Sequence, residues 1–380
     1  MSLVVYDYQA FSLQEFGGVS RYICEIASRV GKAPGFDTRV IAPIHYNKYL
    51  PACDVAKTAW YLPPVFDRSH RLYRSVNRAL SPLLISAVSP TLIHSTYYTP
   101  QVNRTHAPVF ITAHDMIHEL FSEQFGAKDR TSQEKRVSLS QADHILSNSQ
   151  STANDLMRLF NVPREKISIT HLGYSEIFAD AAPDGETAPR QQPYILYVGQ
   201  RAGYKNFELV LRALGSSCAL ASAFDLMAFG GPAFTDVEID LMRKLKLKTS
   251  QVFHRSGSDA ALARAYRHAR VFVYPSNYEG FGVPPLEAMA SGCAVVCSNS
   301  SSIPEVVGPA ARLFDPNELD SLRSALEEVA LNNDVNASLV AAGRSRARVF
   351  SWDRCAAETV AAYQRVLGRP DAWEKAPKGA

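Results

Sequence analysis

The chain has 380 residues, 40 Lys and Arg against 37 Asp and Glu, a formal net charge of +3 and 46% apolar side chains. That length exceeds what one hydrophobic core usually holds, so two domains are expected, while the composition excludes a disordered chain and the near-balanced charge gives no general attraction to nucleic acid. Six cysteines, at 24, 53, 218, 293, 297 and 355, form no C-x-x-C pair and stand beside no His cluster. They read as reduced thiols packed in a cytoplasmic protein.

The opening run MSLVVYDYQAF has a short apolar stretch and no basic flank, so it predicts a first strand at 3–6, not a signal peptide. No stretch reaches the roughly 18 apolar residues that span a bilayer, which leaves only peripheral membrane contact. A polar and glycine loop follows, then a helix over about 20–30 and a strand at 38–42. Further strands are predicted at 92–94, 109–113, 144–147 and 167–170, with helices near 69–88, 131–142 and 151–160. Ser149 or Ser151 can cap the last of these helices, and Pro163 stops the chain soon after. Strands alternating with helices imply a parallel sheet covered on both faces.

Residues 179–193, ADAAPDGETAPRQQP, carry no periodicity and read as a linker. The rhythm then restarts: strands at 194–198, 226–229, 252–254, 271–274 and 294–297, with helices at 207–214 and 284–290 and others between. From 317 onward the pattern is almost wholly helical. Ser351 stands where it can cap a helix from 352 to about 367. Residues after 370 carry no periodic signal.

Three segments have chemical content. Phe16-Gly17-Gly18-Val19-Ser20-Arg21-Tyr22 lies between the first strand and its helix, where small residues and helix N–H groups suit an anion; the same residues fit a tight turn without a ligand. Gly199-Gln200-Arg201-Ala202-Gly203-Tyr204-Lys205-Asn206 puts two cations at the carboxyl end of a strand, where open parallel sheets bind ligands. Arg and Lys suit a diphosphate, and they also suit a solvated loop. The third runs from Pro275 through Ser276, Glu279, Phe281, Gly282, Val283 and Glu287 to Gly292. Its two carboxylates stand eight residues apart across a Gly-Phe-Gly turn, suited to sugar hydroxyls.

The stretch EGFGVPPLEAMASG resembles the Glu-x7-Glu signature of retaining glycosyltransferases with the GT-B fold, family 4. The Gly-Gly-Val-Ser-Arg-Tyr, Gly-x-Arg-x-x-x-Lys-Asn and Ser-Ser-Ser-Ile-Pro-Glu-Val segments are similar to that family's loops in the same order. The resemblance covers nearly the whole chain. It implies two Rossmann-like α/β domains facing across a cleft. The first, at 1–175, is the acceptor side, with 352–380 packing back on it; the second, at 190–351, binds the nucleotide-sugar donor. Arg201 and Lys205 match the pair that neutralises the donor diphosphate, and Glu287 matches the residue that binds the ribose. Glu279 with Phe281, Gly282 and Val283 matches the element holding the transferred sugar. Gly17 and Gly18 match the loop beside the donor phosphates, and His114 a histidine near the reacting sugar. Asp115, His171 and Ser276 are further candidates; His114 and His171 also fit plain structural roles.

The resemblance further implies no catalytic metal and no cofactor beyond the co-substrate. It implies a front-face reaction in which the leaving phosphate takes the acceptor's proton. The form of the Arg–Lys loop resembles mannosyltransferases of polysaccharide and O-antigen assembly, so GDP-mannose is the expected donor and a glycan or lipid-linked saccharide the acceptor. UDP- and dTDP-sugars stay open, as do a nucleotide-sugar 2-epimerase and a non-catalytic sugar-nucleotide-binding subunit. In 68–78, Arg68, Arg71, Arg74 and Arg78 alternate with Leu72, Tyr73 and Val76. That stripe suits the anionic inner face of a cytoplasmic membrane or an acceptor pyrophosphate, and equally a solvated helix packed by its apolar side.

Overall fold

The computed structural model describes residues 1–64, 69–100, 103–126, 129–183, 185–201, 203–248 and 250–368. Arg68, Ala202 and the tail from 369 lie outside them. The chain divides into two compact units. One comprises Met1–Leu172 with the helix Trp352–Val366, the other Gly173–Ser351.

The first unit holds β1 (Ser2–Tyr6), β2 (Phe36–His45), β3 (Ala56–Tyr61), β4 (Leu92–Ser95), β5 (Val109–Ala113), β6 (His144–Ser147) and β7 (Ile167–Ile169), in the order β3-β2-β1-β4-β5-β6-β7. The second holds β8 (Tyr194–Val198), β9 (Asp225–Phe229), β10 (Val252–Arg255), β11 (Val271–Tyr274), β12 (Val295–Ser298) and β13 (Arg312–Phe314), in the order β10-β9-β8-β11-β12-β13. All these pairings are parallel. In each sheet the winding reverses beside the first strand, between β1 and β4 and between β8 and β11. Loops there leave in opposite directions and open a crevice beyond the carboxyl ends.

The central strands are apolar runs because both faces are covered: Val4, Val5 and Tyr6 are fully buried, as are Ile195 and Leu196. Two strands escaped the sequence pattern. AKTAWY of β3 is an edge strand with no buried residue, and β13 has three residues, too few for a period. The expected linker, 179–193, is fastened to the second unit: Glu186 pairs with Arg267 at 2.6 Å and Arg190 with Asp225.

The helix Gly18–Val30 buries Tyr22, Ile23, Ile26, Ala27 and Val30, the spacing of one helical face. The helix Trp352–Val366 packs beside it and sends Tyr363 into the sheet. There a buried polar chain forms. Tyr363 Oη lies 3.2 Å from Tyr6 Oη and 2.6 Å from His94 Nδ1, His94 Nε2 lies 2.9 Å from Thr112 Oγ1, and Thr112 Oγ1 lies 3.1 Å from Tyr22 Oη. Two sequence-distant helices and three strands are thus tied through one imidazole.

Burial holds that imidazole neutral, pushing the His94 pKa down to about 3. Burial likewise lowers His114 and His144, each to about 4. An unfolded chain protonates these rings below about 6.5, while the folded unit resists until far lower pH. Their contribution to stability is therefore complete above about pH 6.5 and is lost as pH falls toward 4, with His94 alone supplying about 1.4 kcal/mol per pH unit. Asp7, whose carboxyl burial pushes up, works in the opposite sense. Urea unfolding should show a lower midpoint at pH 5 than at pH 7, and a shallower decline in His94→Asn. A wild-type midpoint unchanged over that range contradicts the assignment.

Candidate functional site

In the second unit the loop after β8 and the loop after β11 meet across the point where the winding reverses. A 3-10 turn, Gly203–Lys205, leads to Asn206, which precedes the helix Phe207–Ser216. Asn206 Nδ2 donates to Asn277 Oδ1 at 3.2 Å and to the Pro316 carbonyl at 3.0 Å, while the Asn277 N–H donates to the Tyr204 carbonyl at 2.8 Å. These bonds sew the loops together. Lys205 Nζ then reaches Glu279 Oε1 at 2.6 Å, with the two side chains 18% and 10% exposed. Two motif residues 74 positions apart in sequence thus form one charged pair.

Serines at the end of β12 and just after it hold the Glu279 loop from behind. Ser298 Oγ donates to the Ser276 carbonyl at 2.6 Å, and Ser300 Oγ to the Asn277 carbonyl at 2.5 Å. Ser301 Oγ accepts the Glu279 N–H at 2.8 Å, and Ser302 Oγ lies 2.8 Å from the carbonyls of both Glu279 and Phe281. The Ser276 hydroxyl itself is buried without a partner among the described residues. Gly282 ends the loop at φ +101° and opens the helix Val283–Ala290, whose Pro284 and Pro285 sit where a missing N–H is harmless. A Cβ at Gly282 would lie 2.7 Å from Ile303 Cδ1. Phe281 is buried against Phe350, and half-buried Val283 presents the first N–H of the helix. Glu287, 9% exposed, has the Tyr266 hydroxyl 3.4 Å from its Oε2.

Arg201 is placed differently from Lys205. It is 8% exposed, and its guanidinium bonds Glu238 Oε1 at 2.8 Å and the carbonyls of Gly230, Pro232 and Ala233 at 3.2, 2.5 and 2.9 Å. It also lies over the Phe234 ring, 4.8 Å from the centroid. Sequence reasoning set Arg201 beside Lys205 as a second diphosphate cation. Here Arg201 donates to the converging carbonyls of the 230–233 turn and to Glu238, while Lys205 donates to Glu279.

In the first unit, Gly17 is extended backbone and Gly18 begins the helix, with nothing near its Cβ direction within 4 Å. Their loop is pinned by Asn47, which the sequence did not single out. Its Nδ2 donates to Ser20 Oγ at 2.8 Å and to the carbonyls of Gln14 and Glu15, both at 3.1 Å. Asp7, at the end of β1, also went unnoticed. Its buried carboxylate accepts from the Gln9 side chain at 2.8 Å, Ser95 Oγ at 2.9 Å and Thr96 Oγ1 at 2.6 Å. The His114 N–H donates to Tyr98 Oη at 2.9 Å and its carbonyl accepts from Asn148 at 2.7 Å, while its Nε2 is buried with no partner among the described residues. Beside it, fully buried Lys135 bonds the Asp115 carbonyl at 2.9 Å and Glu119 Oε2 at 2.8 Å. The His171 N–H is tied to Glu358 Oε2 at 3.0 Å, in the last helix.

Comparison with known proteins adds to this geometry. Residues 16–176 match the family model described as Glycosyltransferase Family 4, and residues 179–346 the model described as Glycosyl transferases group 1. The O-antigen chain mannosyltransferase B of Escherichia coli is 34% identical over 237 residues, 60% of this chain and 62% of that protein. The MMP alpha-(1->4)-mannosyltransferase of Mycolicibacterium hassiacum is 40% identical over 151 residues, 35% of this chain and 37% of the other. The matched region therefore spans less than two thirds of either relative. A glycosyltransferase from Rickettsia africae ESF-5 superposes with a TM-score of 0.73 at 16% identity, over 97% of this chain and 99% of that one. HepE of Anabaena in complex with UDP and glucose gives 0.71 at 14%, with the same coverage. At such identities the structures share the fold.

Replacing Gly282 by Ala should lower stability by about 1–3 kcal/mol, since it combines a left-handed backbone with a contact at Ile303. Chemical denaturation checks it; a change below about 0.5 kcal/mol would mean that the turn tolerates a side chain.

Proposed function

Because the chain belongs to the GT-B glycosyltransferases of the family 4 type, we propose that it moves a hexose from a nucleotide-diphosphate sugar to a glycan or lipid-linked saccharide. Both named relatives are mannosyltransferases, which favours mannose, and GDP-mannose is the donor proposed here. The observation that carries the reading is the Lys205–Glu279 pair at the carboxyl ends of β8 and β11. A cation suited to a diphosphate next to a carboxylate suited to sugar hydroxyls, in the crevice where such sheets take ligands, supports this reading. Glu287 accepts the ribose hydroxyls, and the first-turn N–H of Val283 points its partial positive charge at the donor. Burial keeps His114 neutral at physiological pH, and its Nε2 has no partner among the described residues.

The reaction retains configuration. The acceptor hydroxyl attacks the anomeric carbon on the face from which the phosphate departs, the bond from that carbon to the phosphate oxygen breaks, and the departing oxygen takes the proton. Lys205 offsets the charge on the leaving diphosphate without a metal, and the protein otherwise contributes positioning. Arg201 contributes at one remove, by ordering the 230–233 turn. Lys205→Ala should reduce kcat/KM by about 10²–10³-fold, the effect of losing one preorganised charge-stabilising donor. Arg201→Ala should lower the thermal midpoint as well as activity. A Lys205→Ala enzyme with unchanged turnover removes the reading. A thermal-shift panel with GDP-mannose and UDP-glucose identifies the donor, since a ligand at a hundred times its Kd stabilises by about 2.7 kcal/mol.

The helix Ser69–Ala87 supports a peripheral membrane contact. It has no acidic residue, exposes Arg71, Arg74 and Arg78, and leaves Leu72, Leu80 and Leu83 at 53%, 43% and 49% exposure, while Tyr73 turns into the core. Arginines beside exposed leucines fit an anionic bilayer surface, at about 1 kcal/mol per basic residue. No helix among the described residues is long and apolar enough to cross a membrane. The protein should float with anionic vesicles at low salt, and Arg71→Glu/Arg74→Glu/Arg78→Glu should not. Absence of wild-type flotation removes this contact and leaves the transferase reading intact.

A further inference from the structure

Away from the Lys205–Glu279 pair, the carboxyl ends of three helices in the second unit converge on a cavity of about 530 Å³. They are Asp259–His268, Val283–Ala290 and Asn333–Ala347. Two basic side chains there are already engaged. Arg267 pairs with both oxygens of Glu186 at 2.9 and 2.6 Å, and His268 Nε2 lies 3.2 Å from the same carboxylate. The side chains of Arg344 and Arg348, one helical turn apart, make no hydrogen bond or ion pair with any described residue. Asp180 is the other acid in the lining, so three arginines face two carboxylates.

Arg344 is also placed. Its Nη2 lies 2.5 Å from where a Cβ on residue 292 would stand, so it rests against the backbone of that turn. Gly292 leaves that space open, and its φ of +78° is one that favours glycine. Cations at helix carboxyl ends are common, since they complement the helix dipole. A concavity of this size that holds two unpaired guanidinium groups does more than complement a dipole. Guanidinium forks an i,i+4 step apart match the oxygens of a phosphate or diphosphate.

We propose that this cavity binds a soluble phosphate-bearing small molecule through Arg344 and Arg348. The site is separate from the donor's. The helix Val283–Ala290 starts at Gly282 beside Glu279 and rises about 12 Å over its eight residues before it reaches the cavity. The ligand would sit at the far ends of the two helices that carry Tyr266 and Glu287.

Calorimetric titration with inorganic pyrophosphate tests this in a Lys205→Ala background, which removes the donor-site cation. Lys205→Ala should bind pyrophosphate, and Lys205→Ala/Arg344→Ser/Arg348→Ser should bind it about tenfold more weakly or worse, the loss expected for charged hydrogen bonds. Equal affinity in the two proteins, or no binding to Lys205→Ala at millimolar pyrophosphate, overturns the site. If the triple variant does not fold, Lys205→Ala/Arg348→Ser decides by the same readout: weaker binding supports the site and unchanged binding overturns it.

Discussion

The second unit is organised around one charged contact, Lys205 to Glu279 at 2.6 Å. Taking two charges largely out of water is unfavourable unless each finds a partner and the surroundings hold both still. The surroundings do so here. Asn206 and Asn277 bind the two loops to each other, and four serines, one ending β12 and three following it, grip the backbone from 276 to 281. The pair can exist only because β8 and β11 are neighbours whose following loops leave the sheet in opposite directions. Removing either partner takes the opposite charge from a nearly buried group.

The first unit repeats the device with different chemistry. Its winding also reverses beside the first strand, and a buried carboxylate again spans the gap. Asp7 after β1 binds Ser95 and Thr96 at the end of β4. Hydroxyl and amide donors replace the lysine, so that junction is closed on itself and rigid. The glycine loop next to it is anchored from outside by Asn47, leaving open space at Gly18. The His94 chain ties the last helix into the same sheet. The first unit is therefore completed by the chain's last described helix, 180 residues after its own seventh strand.

Arg201 and Lys205 show how like residues in one short loop come to differ in role. Lys205 is followed by a helix start and faces the β11 loop. Arg201 meets the carbonyls of the 230–233 turn and Glu238, and a planar fork with several fixed donors is well suited to gather such acceptors. A lysine has neither the geometry nor the donor count for that job. The guanidinium thus braces the 230–233 turn, and the ammonium pairs with Glu279.

Much of this protein was legible without coordinates. Apolar runs separated by helical periods marked the strands from 3–6 to 294–297, because fully covered parallel strands must be apolar on both faces. The Glu-x7-Glu turn, the Gly199–Asn206 residues and the glycine pair marked the loops at carboxyl strand ends, since close backbone approach and charge demand particular residue types. Edge strand β3 stayed hidden because an exposed edge imposes no burial pattern, and β13 because three residues carry no period. Asp7, Asn47 and the serine ladder were invisible for another reason. Short polar side chains acquire a role only when folding brings a partner within about 3 Å, and nothing in their own sequence neighbourhood encodes that partner. The sequence by itself determined the alternation of elements and the residue types at the strand ends. Only the tertiary structure decided that Lys205 would meet Glu279 while Arg201 turned to the 230–233 carbonyls, because local pattern sets which groups are available and the crossing of chain segments sets which of them can touch.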